Sequence, residues 1–512
     1  MVKASAGGGG KGMRIARNDD EAREGFRLST QEAASSFGDD RMIIEKFVDK
    51  PRHIEIQVLG DKHGNAIFLN ERECSIQRRN QKVIEEAPST FLDTWTRTAM
   101  GQQAVALCKR LGYYSAGTVE FLVDSQRNFY FLEMNTRLQV EHPITECITG
   151  IDLVHQMIRV AKGHPLRLTQ KDVPLRGWAI ESRVYSEDPY RNFGLPSTGR
   201  LTKYQEPLHI PKVRCDSGVE EGSEISIYYD PMICKLVCYG NTRKEAINTS
   251  IKALDSYVIR GVAHNIPLLR DILTEPNFVE GNLTTDYLNQ VYPKGFKGRQ
   301  LGEKETLNLA AVAATLCATM DLRSRNFLNS SSNKIKSQPL DTWSFVVAFL
   351  DQEVLCQVKK LETKFKVQIS AHSMFLSDKF NLSSSIINIE INDQPVVMQL
   401  VSKDETGHMQ LTYQGTTFKI SVLTETAARF LHVMPQKLKE DVSKVVKSPM
   451  PGMVKSVKCK HGDDIAEGQE VCVIEAMKMQ NCLTASITGK VKAVYVKPGN
   501  TVMEDDVLIE FE

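Results

Sequence analysis

An internal repeat near the carboxyl end constrains the fold more than any other feature of this sequence. Gly452–Val457 (Gly-Met-Val-Lys-Ser-Val) is matched 37 positions later by Gly489–Val494 (Gly-Lys-Val-Lys-Ala-Val). The same offset relates Lys460 to Lys497, Gly462 to Gly499 and Glu467 to Glu504. Two similar halves of four short strands predict a flattened β-barrel with a pseudo-twofold axis. Lys478 follows the last strand of the first half, so we expect it at the hairpin that joins the halves.

Length and composition indicate a globular protein of several domains. The chain has 512 residues, of which 41% are hydrophobic and 25% charged, and such a length predicts about three domains. The formal net charge of +1 gives no strong field toward nucleic acid or an anionic membrane, so neither is expected as a partner. The longest nearly apolar run, residues 309–320, is far shorter than the ~20 residues of a membrane span. The first residues resemble neither a signal peptide nor an Arg-rich transit segment.

The eleven cysteines are scattered and show no zinc-like spacing. The closest pair, Cys234 and Cys238, belongs to a run that predicts a strand. Reduced structural thiols are therefore expected rather than a metal site, in a reducing compartment such as the cytosol or the mitochondrial matrix.

The amino-terminal half alternates strands and helices. Strand-like stretches at residues 2–5 and 13–16 flank Gly7–Gly12, and Asn18 or Asp19 can cap a helix that Gly38 stops. A mixed α/β body follows to about residue 293, with a clear helix over residues 94–111. A strand at the very start lacks obvious partners, so we expect it to be unpaired and its surroundings to bury little surface.

The middle region changes character. Residues 303–328 predict one long helix, and residues 330–338 a linker. Residues 343–431 predict short alternating strands separated by turns such as Asn392-Asp393 and Gln414-Gly415, which indicates an antiparallel sheet or barrel. A charged linker at residues 437–447 precedes the terminal repeat.

Lys478 lies in the run Glu475-Ala476-Met477-Lys478-Met479. A lysine between two methionines can be an ordinary solvated side chain. Here, however, it occupies a barrel tip, and Ser448-Pro449-Met450-Pro451-Gly452 opens the same barrel. This pattern resembles the biotin carboxyl carrier domain, whereas the related lipoyl domain usually has Asp-Lys-Ala at its tip. The resemblance implies that biotin protein ligase attaches biotin covalently to Lys478.

The glycine run after Lys3 has two interpretations. Alone it is a flexible linker, and it lacks the Lys-Ser/Thr of a Walker loop. Between two strands it can instead cover nucleotide phosphates with backbone N–H groups. It then resembles the lid of ATP-grasp biotin carboxylases. Together with other matching segments, the resemblance implies ATP-binding residues Lys3, Gly7, Gly8, Gly9, Gly10, Lys11, Gly12, Glu45, Lys46, His53, Gln77, Glu120 and Glu133.

Polar and apolar residues alternate from Glu133 to Pro143, which alone can be a strand with one solvated face. Hairpin pairing would, however, bring Glu120 beside Glu133, and two converging carboxylates favour a cation such as Mg²⁺. The segment is similar to the biotin carboxylase signature. The resemblance implies Mg²⁺ or Mn²⁺ on Glu120, Glu133 and Asn135, and bicarbonate on Arg137, Gln139 and the Val140 N–H. It further implies Glu141 as general base, Arg183 as stabiliser of the biotin enolate, and catalytic roles for Arg137 and Lys82.

The chain as a whole resembles the biotin-dependent acyl-CoA carboxylases. The implied fold is a multidomain α+β chain with four parts. They are residues 1–47, a remnant of the ATP-grasp lid; 48–293, the rest of a partial ATP-grasp biotin carboxylase; 298–437, a docking (BT) domain of a helix within an antiparallel barrel; and 444–512, the flattened biotinyl barrel.

Asn80 and the middle domain favour the α subunits of the propionyl-CoA carboxylase branch, with the 3-methylcrotonyl-CoA branch as the alternative. The resemblance implies action in the mitochondrial matrix with a carboxyltransferase β subunit in an α6β6 assembly. The family has an α/β domain ahead of the position of Lys3, so we expect a truncated form. A non-catalytic carrier and assembly module is the alternative function.

Overall fold

The computed structural model describes residues 1–6, 12–191, 196–226, 229–326, 341–350, 352–431, 433–434, 444–476 and 479–512. Four predicted features therefore lie wholly or largely outside the described residues. They are the glycine-rich segment Gly7–Lys11, the biotin site Lys478, the linker at 330–338 and most of the linker at 437–447.

The amino-terminal segment forms a small sheet covered by a helix. Its elements are β1 (Val2–Ala4), β2 (Met13–Arg14), α1 (Asp19–Phe37) and β3 (Met42–Ile44). The expectation of an unpaired first strand is wrong: β1 is the central strand, antiparallel to both β2 and β3. Ala4 is fully buried, and Gly12 (φ +68°) has no space for a side chain because a Cβ there would lie 2.8 Å from the Ala4 Cβ.

The helix predicted from Asn18 to Gly38 is confirmed with both of its caps. The Asn18 side chain accepts a hydrogen bond from the Glu21 N–H, and Gly38 takes the left-handed conformation (φ 67°). These caps satisfy backbone groups that the helix leaves unpaired.

The body of the molecule is built on one eight-stranded antiparallel sheet with the order β12-β14-β9-β6-β5-β4-β7-β8. The strands of this region are β4 (Arg52–Gly60), β5 (Ala66–Arg78), β6 (Gln81–Ala87), β7 (Ser115–Val123), β8 (Phe129–Asn135), β9 (Trp178–Tyr185), β10 (Gly199–Arg200), β11 (Lys203–Gln205), β12 (Val213–Ser217), β13 (Glu224–Ile225), β14 (Met232–Gly240) and β15 (Val258–Arg260). The helices are α2 (Thr94–Leu111), α3 (His142–Thr149), α4 (Leu153–Ala161), α5 (Arg243–Asp255), α6 (Ile266–Ile272), α7 (Pro276–Glu280) and α8 (Tyr287–Val291).

Strand β4 shows how this sheet positions functional groups. Ile54, Ile56 and Val58 pack into an apolar core with helix α2. Because side chains alternate along a strand, His53 and Glu55 point to the opposite face, where both are buried. One face of the sheet is therefore held by apolar packing, and the other presents charged groups in a buried environment.

The middle region is a closed barrel that surrounds helix α9 (Glu303–Asn326). Its strands are β16 (Thr342–Phe349), β17 (Gln352–Lys360), β18 (Lys364–Ile369), β19 (His372–Ser377), β20 (Ile386–Ile391), β21 (Gln394–Lys403), β22 (His408–Tyr413) and β23 (Thr416–Thr424). The helix is fully buried from Leu309 to Ala314, because alanines let strands approach it on all sides. In the part of the chain that the structure describes, no helix combines the length and apolarity needed to cross a membrane.

The predicted helix start and the predicted barrel are confirmed, with one correction. Asn392, Asp393, Gln414 and Gly415 all have positive φ, as two-residue hairpin turns require. Residues 425–431, however, form helix α10 (Glu425–Leu431) instead of a strand. The sequence Glu-Thr-Ala-Ala-Arg-Phe-Leu is rich in residues of high helix propensity.

The carboxyl-terminal barrel has the predicted internal symmetry. Its strands are β24 (Val445–Lys447), β25 (Gly452–Val457), β26 (Asp464–Ile465), β27 (Glu470–Ala476), β28 (Met479–Thr484), β29 (Gly489–Val494), β30 (Thr501–Val502) and β31 (Val507–Phe511). The two sheets have the orders β24-β31-β29-β26 and β28-β27-β25-β30, and exchanging the two halves turns one order into the other. The linker predicted to reach Lys447 ends earlier, because Val445–Lys447 pairs with β31.

Candidate active site

Lys82 is the centre of a buried cluster of charged side chains on the polar face of the large sheet. Its Nζ lies 2.5 Å from Glu55 Oε2, 2.6 Å from Glu141 Oε1 and 3.2 Å from Glu120 Oε1. Burial alone would lower the pKa of Lys82, but the three carboxylates raise it well above its ordinary value. The lysine is therefore a fixed positive charge around which acidic groups from three separate segments converge.

Glu141 lies between two cations. Besides Lys82, Arg183 Nη2 approaches Glu141 Oε2 at 3.1 Å. Burial would raise the pKa of Glu141, but Lys82, Arg183 and Arg72 together lower it below its ordinary range. The carboxylate is held ionised, and Glu141 also marks the start of α3.

Glu120 contacts three polar side chains in addition to Lys82. Asn135 Nδ2 donates to its Oε1 at 3.0 Å and Gln139 Nε2 at 2.8 Å. His53 Nε2 lies 2.9 Å from its Oε2, close enough for an ion pair but not aligned for a hydrogen bond. Burial opposes ionisation of Glu120, yet contact with His53 and Lys82 holds its pKa below the ordinary range.

Glu133 lies directly opposite Glu120 in the β7–β8 ladder, which confirms the predicted hairpin pairing. Its carboxylate is more exposed and accepts a hydrogen bond from Lys3 Nζ at 3.2 Å. This contact connects the amino-terminal segment to the large sheet. Gln77 Nε2 lies 2.8 Å from His53 Nδ1 and so orients the imidazole that faces Glu120.

The metal-binding potential of the cluster extends beyond the predicted trio. Among the described residues, His53, Glu55 and Glu120 offer ligand atoms that all lie within 4.8 Å of one another. The two carboxylates offer the oxygen donors that Mg²⁺ or Mn²⁺ prefers, and the imidazole offers a nitrogen donor. Lys82 already contacts two of these three side chains, so a cation here competes with the ammonium group.

Arg72 and Glu55 were not predicted as site residues, although both are completely buried. Arg72 Nε lies 2.5 Å from Glu55 Oε1, and its two Nη atoms donate to Gln57, Thr145, Thr118 and Gln139. A guanidinium with this many partners fixes the segments around it. The available sequence signal was the polar run Asn70-Glu71-Arg72-Glu73 inside an otherwise apolar strand.

A second unpredicted feature is a pair of buried carboxyl groups behind Arg183. Glu85 and Glu181 lie opposite each other on β6 and β9, and Arg183 Nε approaches Glu85 Oε1 at 2.5 Å. Neither Glu181 oxygen has a hydrogen-bond partner among the described residues. Burial raises the pKa of Glu85 to about 7, and burial and Glu85 raise the pKa of Glu181 well above its ordinary value.

The remaining predicted residues lie around this cluster or apart from it. Arg137 is exposed, and its Nη1 donates to the Leu138 carbonyl at 3.2 Å. The Val140 carbonyl accepts a hydrogen bond from Lys235 Nζ at 3.1 Å. Glu45 and Lys46 follow β3, and within the described segments no side-chain hydrogen bond connects them to the cluster. Lys478 and Gly7–Lys11 lie outside the described residues.

One cysteine group was also missed, because its members lie on different strands. Glu206, Cys215 and Cys234 offer ligand atoms within 4.8 Å of one another. The spacing of cysteines along one strand does not reveal that Cys215 and Cys234 lie close together in the fold. The predicted strand around Cys234 and Cys238 is confirmed as β14, and all cysteines are reduced.

Four known families match successive parts of the chain. They are the ATP-binding domain of the carbamoyl-phosphate synthase L chain at residues 1–169, the biotin carboxylase C-terminal domain at 181–290, the propionyl-coenzyme A carboxylase BT domain at 309–437 and the biotin-requiring enzymes at 444–511. These matches and the observed architecture confirm the expected fold class, a multidomain α+β chain with ATP-grasp and biotinyl parts.

Whole-chain relatives agree with this order of domains. The chain is 56% identical to the mitochondrial propionyl-CoA carboxylase alpha chain of Homo sapiens, over 100% of this chain and 70% of that protein. It is 36% identical to the mitochondrial alpha subunit of methylcrotonoyl-CoA carboxylase of Mus musculus, over 100% of this chain and 72% of that protein.

A solved structure matches the amino-terminal half. It is the biotin carboxylase domain of the 2-oxoglutarate carboxylase of Hydrogenobacter thermophilus, with MgADP, ADP and bicarbonate. The TM-score is 0.56 and the identity 45%, and the match covers 58% of this chain and 65% of that chain.

Proposed function

The chain belongs to the family of propionyl-CoA carboxylase alpha chains, and from this premise we propose that it carboxylates its own biotin with bicarbonate and ATP, for transfer to propionyl-CoA giving methylmalonyl-CoA. The observation that carries the proposal is the cluster of Lys82, Glu141 and Arg183. The greater identity to the propionyl-CoA relative, 56% against 36%, supports this acyl-CoA over the 3-methylcrotonyl alternative.

For ATP and its metal, we propose that Glu120, Glu133 and Asn135 hold Mg²⁺ or Mn²⁺ beside the phosphates. The opposed carboxylates provide hard oxygen ligands. The Asn135 amide nitrogen faces Glu120, which leaves its oxygen free for a cation. Lys3, Lys82, His53, Gln77, Glu45, Lys46 and the segment Gly7–Gly12 complete the proposed nucleotide site.

For bicarbonate, we propose that the exposed guanidinium of Arg137 provides a two-pronged donor, together with the Val140 N–H. Gln139 completes the proposed bicarbonate site. Its amide also contacts Arg72 Nη2 at 3.0 Å and Glu120 at 2.8 Å, so it positions the segment that carries Arg137 and Glu141.

Glu141 is the proposed general base that takes the bicarbonate proton. A carboxylate held between two cations is a weak base, so its strength must increase when substrates bind. Nucleotide phosphates compete with Glu141 for Lys82, and a weaker Lys82 contact raises the proton affinity of Glu141. Lys82 thereby couples nucleotide binding to activation of bicarbonate.

We propose that Arg183 donates a hydrogen bond to the ureido oxygen of biotin. When bound, biotin would supply a nucleophilic nitrogen. The Nε of Arg183 is fixed by Glu85, and its Nη2 is shared with Glu141. The guanidinium can therefore stabilise negative charge on an oxygen placed next to Glu141. Arg183 lies opposite Lys235 of β14 in the sheet, and this register fixes the position of Arg183 along its strand.

The rest of the assignment concerns the whole chain. We propose attachment of biotin to Lys478 by a biotin protein ligase, docking of residues 298–437 to a carboxyltransferase β subunit in an α6β6 assembly, and action in the mitochondrial matrix. The proposed division of the chain remains 1–47, 48–293, 298–437 and 444–512. The match of residues 309–437 to the propionyl-coenzyme A carboxylase BT domain supports the docking assignment.

The catalytic proposal is tested by bicarbonate-dependent release of ADP in the presence of free biotin. We expect turnover in the purified chain and a loss of about 10²–10⁴-fold in Glu141→Gln. A chain that releases no ADP above background yet still docks to the β subunit would instead be a carrier and assembly module.

The attachment site is tested separately by streptavidin blotting after coexpression with a biotin ligase. We expect a signal that disappears in Lys478→Ala and persists in the matched control Lys490→Ala, which lies on the second half of the repeat. A signal that survives Lys478→Ala contradicts the assignment. Since this assay does not involve the large sheet, its result is independent of the ADP assay.

A further inference from the structure

A cavity lined by both polar and apolar residues lies where the large sheet's domain meets the helix-filled barrel. Its volume is about 320 Å³, within the range of small-molecule sites. One wall is formed by residues 254–267, which include the end of α5, strand β15 and the start of α6. The other wall is formed by β21, β22 and the start of β23.

Gln399 fixes the geometry of this junction. Its Nε2 donates to the carbonyl oxygens of Asp255 and Tyr257, both at 3.0 Å, and its Oε1 accepts from Arg260 Nη2 at 3.0 Å. The side chain is almost completely buried. A glutamine from the barrel therefore holds both the backbone and the guanidinium on the opposite wall, so the cavity is preformed.

Arg260 brings an uncompensated positive charge into this cavity. Its two hydrogen bonds go to neutral oxygens, those of Gln399 and of the Ile259 carbonyl. Asp255 is the one carboxylate lining the cavity among the described residues, and it is paired with Arg270 at 2.9 Å. Burial lowers the pKa of Arg260, and no acidic neighbour within the described segments opposes this effect. A half-buried guanidinium without a counter-ion is costly.

His264 also lines this cavity. Its Nδ1 is buried and has no hydrogen-bond partner among the described residues. Burial and the charge of Arg260 lower the pKa of His264 to about 4, so the ring is neutral near pH 7. The neutral ring adds no charge, so Arg260 is the one cation among the described residues that line the cavity.

We propose that this junction cavity is a binding site for a small molecule that bears one oxyanion, a carboxylate or a phosphate group, held by Arg260. The anion supplies the negative charge that Arg260 lacks. Gln410 and Thr412 line the remaining polar wall. Because the ligand contacts both domains, binding strengthens the junction between the half that matches biotin carboxylases and the barrel.

The test is thermal unfolding of the full chain in increasing sodium phosphate or sodium acetate, at ionic strength kept constant with sodium chloride. We compare the unmodified chain, Arg260→Gln and the control Arg167→Gln, which removes an exposed arginine. Oxyanions bound elsewhere stabilise all three proteins alike, so the difference isolates the cavity. We expect affinity about ten- to hundredfold weaker in Arg260→Gln and unchanged in Arg167→Gln.

The two salts distinguish the possible ligands, since a response to phosphate alone indicates a phosphate ester and a response to acetate alone indicates an organic acid. Equal responses of the unmodified chain and Arg260→Gln to both salts would overturn the proposal.

A second variant guards against poor folding of Arg260→Gln. Gln410→Glu places a carboxylate in the same cavity, where it can neutralise Arg260 from within the chain. We expect this variant to melt at a higher temperature than the unmodified chain in chloride buffer and to lose the oxyanion response. A variant that melts lower and retains the full response would refute the site as firmly as the first comparison.

Discussion

At the scale of single residues, charge in the large sheet is balanced by close pairing rather than by solvent. Lys82 pairs with three carboxylates, Arg72 shares one of them, and Arg183 shares another and also pairs with Glu85. Glu181 is the exception, because neither of its oxygens has a partner among the described residues. A buried carboxyl group without partners favours its protonated form.

This imbalance predicts a pH dependence of stability. The folded chain keeps the Glu181 proton above the ordinary pKa of 4.5, whereas the unfolded chain releases it. The folded state therefore binds more protons, and its stability falls as pH rises above about 4.5. In Glu181→Gln this loss is absent. As pH rises, the free energy of unfolding of the variant should therefore increase relative to that of the unmodified chain by up to ~1.4 kcal/mol per pH unit.

Urea unfolding between pH 5 and pH 8, followed by the fluorescence of Trp178 on the same strand, measures this effect. Glu220→Gln, an exposed substitution of the same type, is the matched control, and we expect its difference from the unmodified chain to be independent of pH. A constant difference for Glu181→Gln would show that the group is ionised in the folded chain.

The sequence predicted the pairing of Glu120 with Glu133, because a two-residue periodicity and a short turn fix hairpin register. It did not predict the neighbours of Lys82. Glu55, Glu120 and Glu141 reach Lys82 from separate strands and a loop, and no local pattern encodes such long-range convergence. Arg72 was missed for the same reason, since its role depends on side chains from segments that are distant in the sequence.

At the scale of elements, helix α9 is unusual because its middle, from Leu309 to Ala314, is buried on every side. The prediction of a helix rested on apolar positions, which include Leu307, Ala310, Ala314 and Leu316. The small side chains from Ala310 to Ala314 set the distance between helix and strands. Interiors packed at crystal-like density do not accept extra atoms without strain.

We therefore expect Ala314→Leu to destabilise the barrel by about 1–3 kcal/mol. The fluorescence of Trp343 reports this, because its Nε1 donates to Asp321 Oδ2 of the helix at 2.7 Å. Ala427→Leu, on the exposed helix α10, should leave the transition within about 0.5 kcal/mol. Equal transitions for both variants would mean that the helix does not fill the barrel.

At the scale of the whole molecule, the apolar cores of the barrel regions are separate. Among the residues that the structure describes, the core of the terminal barrel lies between Val446 and Phe511, and that of the middle barrel between Leu301 and Val422. Regions whose cores share no residues can fold independently.

The fragment 444–512 should consequently accept biotin to the same extent as the full chain. Mass spectrometry after coexpression with a biotin ligase measures the modified fraction, and the same fragment with Lys478→Ala should remain unmodified. Biotinylation in the full chain alone would show that the ligase also requires contacts outside the barrel.

The barrel that surrounds α9 also has a consequence for synthesis on the ribosome. The helix ends at Asn326 and the last barrel strand at Thr424, so about 100 residues must still be made before the barrel can close, which takes ~5–20 s at typical elongation rates. During this interval the nascent helix exposes the apolar residues that later lie at the centre of the barrel. Translation speed over these strands, and chaperones that protect the waiting helix, should therefore determine how much of the newly made chain matures.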